Sequence, residues 1–158
     1  MLEIFPSFLP RPALLRIYAH AREVFPWECC GYIRGSGDAA IVFRCTNQQE
    51  EMHAIDPTRF PRTAASAYQI GGIELLDLAR SFDGPLPASV IYHSHPAVGA
   101  YFSVEDARAA DAARYPVRYL VIDAQPDRIA ESRLYSANRH DGRATEYNEV
   151  ARYRGAEI

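Results

Sequence analysis

The residues best able to do chemistry lie in one short stretch, Tyr92-His93-Ser94-His95-Pro96, followed by Phe102-Ser103-Val104-Glu105-Asp106. On a strand, residues two apart share a face, so His93 and His95 can converge on one point. Pro96 ends that strand and places both imidazoles at its carboxyl end, where α/β folds tend to build sites. Ser103 then opens a predicted helix whose first turn carries Asp106. Two imidazoles and one carboxylate are a common catalytic zinc set, with a fourth position left for water. Such a site lowers the pKa of that water towards neutrality and makes it a nucleophile. Ser103 and Asp106 also have the spacing of a capping box, with a shorter acid than usual. The two roles are compatible, because capping holds Asp106 at the helix start.

A hydrolytic site of this kind also needs a proton shuttle that is not itself a ligand, usually a carboxylate. Glu28 is the candidate. By chemistry alone it is no better than Glu23, Glu50 or Glu51. It differs in following Pro26-Trp27 and preceding an apolar strand, which puts it at the edge of a sheet. Cys29-Cys30 is read as packing rather than as a thiol nucleophile, with alternation sending one of the two into the core. His20, His53 and His140 have no partner spacing that suggests a second metal site. Tyr92, Tyr101 and Phe102 flank the histidines, as groove lining or, for Tyr92 equally, as core. Asp111 falls off the helical face of Asp106 and is expected to be solvated.

The elements that must position these residues follow from pattern. A helix is predicted after Arg11-Pro12, where Leu14, Leu15, Ile17, Tyr18, Ala21, Val24 and Phe25 recur at helical spacing, ending before Pro26. Strands are expected over Cys29–Arg34 and Ala40–Cys45 around a Gly35-Ser36-Gly37-Asp38 turn. Thr46–His53 reads as a loop. Asp56-Pro57 reads as a helix start, with the helical pattern resuming after Pro61 and again over Ile73–Phe82. Strands at Ala88–His93 and Val117–Asp123 enclose a helix at Val104–Ala113, and Glu131–Ser136 is placed beside them. The order predicts one α/β or α+β domain with a core over about residues 11–137. The tail, 138–158, is polar and gives no clear element.

Composition narrows the function classes. A chain of 158 residues fits one domain and can bury roughly two thirds of its unfolded surface without disulfide staples. With 17 basic and 20 acidic side chains the formal charge is −3 and no basic run stands out, which argues against a nucleic-acid partner. No apolar stretch is long enough to span a bilayer, and Met1–Pro12 has neither the basic start nor the apolar run of a signal peptide. Three cysteines, two adjacent, make no disulfide framework and favour a reducing cytoplasm. All 17 basic residues are arginine. Codon usage explains this, although a lysine-free chain would also escape modification beside a conjugation system.

The pattern H-x-H-x7-S-x-x-D from His93 to Asp106, with Glu28 upstream, resembles the JAMM (MPN+, also Mov34 or JAB) metalloprotease family. Pro26-Trp27-Glu28-Cys29-Cys30-Gly31 is similar to the P-x-E-x-C-G block of many bacterial members, and the resemblance runs from about Leu14 to Tyr135. It implies a single domain with a mixed central β-sheet flanked by helices and one zinc ion at a strand end and helix N-terminus. It makes His93, His95 and Asp106 the zinc ligands, Glu28 the general acid/base, and Ser103 the hydrogen-bond donor to the oxyanion. Phe102 departs from the proline that many members carry before the serine, and Cys29 is an added cysteine; neither touches a ligand. The resemblance further implies hydrolysis after the C-terminal Gly-Gly of a ubiquitin-like or sulfur-carrier protein, the sulfur-carrier peptidases being the closest match through Tyr92–Pro96 and Ala100–Ser103. Deconjugases of bacterial ubiquitin-like operons, phage-tail peptidases and non-catalytic scaffolds are the alternatives within it, and a homodimer is compatible with the sequence. A zinc nucleobase deaminase is set aside, because its H-x-E and P-C-x-x-C elements are absent.

Overall fold

The computed structural model describes residues 8–140 and 143–158, without the side chains of residues 139, 140 and 143–145. The reading of Met1–Pro12 as lacking a signal peptide falls largely outside the described residues, as does the His140 side chain. Helix α1 (Arg11–Val24) forms where Leu14, Ile17, Tyr18 and Ala21 recur on one face behind Pro12, and all four are buried. Burying each of the larger ones contributes roughly 1.5–3 kcal/mol. Pro26 prevents its continuation.

The face of α1 lies on a six-stranded sheet built from β1 (Cys30–Arg34), β2 (Ile41–Cys45), β3 (Ala88–Pro96), β4 (Arg118–Ala124), β5 (Ile129–His140) and β6 (Arg143–Ala156). Their spatial order is β2-β1-β3-β4-β5-β6. Strands β3 and β4 run parallel, joined by a crossover through α4 (Val104–Ala113), and every other neighbouring pair is antiparallel. One face of the sheet packs Ile33, Val90, Tyr92, Leu120 and Ile122 against α1. The other packs Tyr32, Ile91 and Tyr119 with Leu78 of α3 (Gly72–Ser81) and Ala110 of α4. The architecture is the mixed α/β domain that the order of elements predicts. Because both faces are covered, Cys29 and Cys30 are both buried, on opposite faces, rather than one of them alone. All three cysteines are free.

Two stretches differ from expectation. The segment read as a loop contains α2 (Gln49–Ile55), and residues 61–71, where the helical pattern was expected to resume, form no helix. Only Gln49 of this short helix is buried, and Met52, Ala54 and Ile55 make no buried apolar stripe to read. Asp56 does accept a hydrogen bond from Arg59 N–H, at 3.1 Å, but the chain makes a single turn there before Pro61. The second difference is the tail, which forms the C-terminal end of β5 and the 14-residue β6. A bulge sets Leu134 opposite Ala151 and Tyr135 opposite Glu149, leaving Val150 as the extra residue. The bulge inverts which parity faces the core: Tyr147 packs on the α3/α4 side, whereas Ala151 and Tyr153 pack on the α1 side. That inversion hides the alternation. Among the described residues no helix is long and apolar enough to cross a membrane.

Two predictions follow from this packing. A methyl group at Gly31 would overlap the Phe43 carbonyl oxygen and the ring of its cross-strand partner Tyr92. Gly31→Ala should therefore destabilise the fold by about 1–3 kcal/mol in urea unfolding. The Tyr92 hydroxyl in turn meets buried His20 Nδ1 at 2.8 Å. Burial, reinforced by Arg44 and opposed by Glu23, lowers the His20 pKa to about 4. The folded chain thus binds fewer protons than the unfolded one between pH 6.5 and 4, so this contribution is complete above that window and is lost as pH falls through it. The unfolding midpoint of His20→Gln should fall less than that of the wild type between pH 7 and 4.

Candidate metal centre

Pairing of β1 with β3 sets the site. Cys30 lies opposite His93 in the antiparallel register, which brings Glu28, just before β1, to the end of β3. Ser94, the residue between the two histidines, ties the strands together there. Its Oγ accepts the Cys29 N–H at 2.8 Å, and its own N–H donates to the Cys29 carbonyl at 3.1 Å. Glu28 is itself buried, its N–H donating to Ala64 O at 2.8 Å and its carbonyl accepting from Asn47 Nδ2 at 2.9 Å. Sequence reasoning gave Ser94 and Asn47 no role; a small polar residue between two same-face histidines was the available signal for the first.

Helix α4 delivers Asp106. Ser103 Oγ accepts the Asp106 N–H and Asp106 Oδ2 accepts the Ser103 N–H, both at 3.0 Å, so the capping box is complete. Held this way, the Asp106 carboxylate lies 3.2 Å from His93 Nε2 and 3.3 Å from His95 Nε2. The two Nε2 atoms are 3.1 Å apart, and one ligand atom from each of Glu28, His93 and His95 lies within 4.8 Å of the others. All five residues singled out by motif are thus gathered in one place. Tyr68 stacks on the His93 ring with centroids 4.5 Å apart, and Tyr101 meets His95 edge-on.

The donor set fits a cation. His95 Nδ1 lies 3.0 Å from the Gly99 carbonyl, which can only accept, so Nδ1 carries the proton and the neutral ring turns the lone pair of Nε2 inward. That lone pair faces a second imidazole nitrogen and a carboxylate at hydrogen-bond distance, an arrangement that repels itself unless a proton or a metal ion sits among them. Burial opposes charge on His93, yet Asp106 and Glu28 outweigh it and raise its pKa. Burial likewise works against ionisation of Asp106, but the imidazoles and the Ser103 N–H hold it below the usual carboxylate range. Burial also raises the Glu28 pKa, with the two imidazoles opposing and Asp106 adding to it. A nitrogen-rich set with one or two carboxylates suits zinc better than calcium or magnesium.

The centre opens into a cleft of about 160 Å³, walled by Arg62, Ala65 and Ser66 on one segment and by Pro96, Val98, Tyr101 and Ser103 on another. The first wall has no regular structure and is held by polar side chains of α2. Gln49 Nε2 donates to Arg62 O at 2.8 Å, Glu50 Oε1 accepts Ala64 N–H at 3.0 Å, and His53 Nδ1 donates to Phe60 O at 2.8 Å. Asn47 completes the hold by accepting Gln69 N–H and donating to Ala67 O. Glu50 and His53 are therefore occupied structurally, and Glu23 pairs with Arg44 at 2.9 Å. Tyr92 is fully buried on the α1 face, away from the cleft, and Phe102 packs on Tyr119, Tyr135 and Tyr147. Asp111 is exposed as expected, and also accepts the Tyr147 O–H at 2.9 Å.

Replacing Ser94 by alanine would leave the buried Cys29 N–H without its side-chain acceptor. Ser94→Ala should lose about 1–3 kcal/mol of stability in denaturant unfolding. Amide exchange of Cys29 should accelerate more than that of β4.

Residues 10–138 match the family model described as prokaryotic homologs of the JAB domain. Among solved structures the chain is similar to the solution structure of protein DSY2949 from Desulfitobacterium hafniense, with a TM-score of 0.61 and 22% identity, covering 88% of this chain and 86% of that one. At that identity the likeness extends to the fold. No functionally curated protein matches the chain. The family model spans most of the sequence, including Glu28 and the whole histidine–aspartate centre, and the chain belongs to the prokaryotic JAB-domain family.

Proposed function

We propose that the chain is a zinc-dependent peptidase or isopeptidase that hydrolyses the bond after the C-terminal Gly-Gly of a ubiquitin-like or sulfur-carrier protein. The observation that carries this reading is the convergence of His93, His95, Asp106 and Glu28, all but His93 lining one cleft together with Ser103. His93, His95 and Asp106 would hold the ion. Asp106 suits ligation because the capping box fixes its carboxylate. Glu28 suits proton transfer, since among the described residues its carboxylate has no hydrogen bond to hold it. A bound zinc ion supplies Lewis acidity, which makes water a competent nucleophile at neutral pH and polarises a carbonyl.

The rest of the chemistry belongs to side chains. As the water oxygen bonds to the scissile carbonyl carbon, Glu28 takes one water proton; it then delivers that proton to the departing amine as the C–N bond breaks. Burial, which raises its pKa, makes it a better base for the first step. The Ser103 oxygen already accepts the Asp106 N–H, and its own proton remains to be donated to the oxyanion. A substrate tail ending in two glycines suits the cleft because it brings no side chains between Ala65 and Ser66 on one side and Val98 and Tyr101 on the other. Resemblance to the sulfur-carrier peptidases supports that choice of substrate. Three buried, unpaired thiols suit a reducing cytoplasm.

Metal analysis combined with a cleavage assay tests the reading. Wild type and Glu28→Gln should each carry one zinc, and His95→Ala should carry none. Glu28→Gln should cut a ubiquitin-like carrier extended beyond its Gly-Gly about 10²–10⁴-fold more slowly than the wild type. Wild-type protein without zinc would overturn the ligand set and favour a scaffold. Zinc without cleavage would overturn the substrate.

A further inference from the structure

A second cavity, of about 500 Å³, shares the Glu28 wall with the cleft. Its size is in the range of pockets that take small molecules. Val24, Trp27, Cys29 and Ala64 give it apolar walls, and Trp27 is 46% exposed. Most of its polar lining is already satisfied. Asn47 makes four hydrogen bonds to backbone groups, and Thr46 and Glu50 are open to water.

His20 is different. Its side chain lines the cavity, is only 7% exposed, and turns Nδ1 to the Tyr92 hydroxyl at 2.8 Å. Nε2, on the opposite edge of the ring, has no hydrogen bond among the described residues. The tautomer follows from Tyr92. That hydroxyl is fully buried and has no other partner among the described residues, so its proton goes to Nδ1. A neutral ring that accepts at Nδ1 carries its own proton on Nε2. The ring is neutral at physiological pH, since burial lowers its pKa to about 4. A buried N–H without an acceptor is costly, and the cavity that His20 lines is where an acceptor can enter.

The walls set the class of ligand. Apolar surroundings make a charge expensive to bring in, and the Glu28 and Glu50 carboxylates disfavour an anion. We propose that this cavity is a ligand site separate from the metal centre, for an uncharged molecule with an apolar body and one hydrogen-bond acceptor. The acceptor receives a hydrogen bond from His20 Nε2 while the body packs on Trp27. The site does not depend on the peptidase reading. Because Glu28 walls both spaces, an occupant lies a single residue away from the cleft.

Acetophenone and α-methylstyrene test this, because they carry C=O and C=CH2 on the same frame and so separate the acceptor from the apolar body. Each is titrated into the isotope-labelled protein and followed by NMR. The chain has a single tryptophan, so its indole signal reports on Trp27 alone. Both probes should shift that signal saturably, and acetophenone should bind about three- to tenfold more tightly, the scale of one hydrogen bond. Trp27→Ala should weaken both. His20→Phe alone would strand the Tyr92 hydroxyl, so the donor is removed in His20→Phe/Tyr92→Phe, which leaves neither group unpaired. In that variant the two affinities should converge. No saturable shift with either probe, equal affinities in the wild type, or a preference that persists in the double variant overturns the proposal. Shifts confined to Tyr101 and Ser103 overturn it too, since they place the probe in the metal cleft instead.

Discussion

The antiparallel pairing of β1 with β3 is the constraint on which the rest of the site depends. It sets Cys30 opposite His93 and, through the two hydrogen bonds between Ser94 and Cys29, brings Glu28 beside a histidine pair far from it in sequence. These bonds are buried, so each is made in competition with few waters and each would leave an unsatisfied group if broken. A slip of one residue in that ladder would turn His93 and His95 to the α1 face and separate them from Glu28. Gly31 keeps the register by letting the Tyr92 ring lie across it, which couples the core under α1 to the placement of the site.

The second determinant is electrostatic. Two carboxylates and two imidazoles are packed where water is scarce, and His95 is held in the tautomer that points a lone pair at its neighbours. Buried like groups of this kind are unfavourable without a compensating cation. The capping box resists relaxation, since turning the Asp106 carboxylate away from the histidines would also uncap α4. Stability of the helix start and poise of the centre thus share the Asp106 carboxylate, whose Oδ2 accepts the Ser103 N–H and lies 3.3 Å from His95 Nε2. The parallel β3-α4-β4 crossover makes this possible, because it returns the N-terminus of α4 to the carboxyl end of β3.

The irregular wall of the cleft shows a different solution. Residues 57–71 have no helix or strand to satisfy their backbone, so Asn47, Gln49, Glu50 and His53 provide donors and acceptors instead. A wall held by hydrogen bonds can carry residues that a strand would bury, and it places Arg62, Ala65 and Ser66 at the cleft while Tyr68 covers His93. This explains why Gln49, Glu50 and His53 of α2 are polar.

What was legible in the sequence is what depends on short-range spacing. The strand-end histidines, the Ser-x-x-Asp cap, α1, α3, α4 and the central strands each declare themselves within about ten residues, because strand and helix periodicities act over that range. Glu28, which local chemistry could not separate from its acidic neighbours, was marked by its place before an apolar strand and then by the resemblance. Helix α2 escaped notice because it buries almost nothing, and β6 because a bulge at Val150 inverts its alternation. The sequence by itself therefore determined the residue types and the local elements that carry them. Only the tertiary structure decided that Glu28 meets His93 and His95, that Asp106 faces both, and that Arg62 lines the same cleft. Those relations arise from β-pairing and backbone capture between segments distant in the chain, and no periodicity within a segment encodes them.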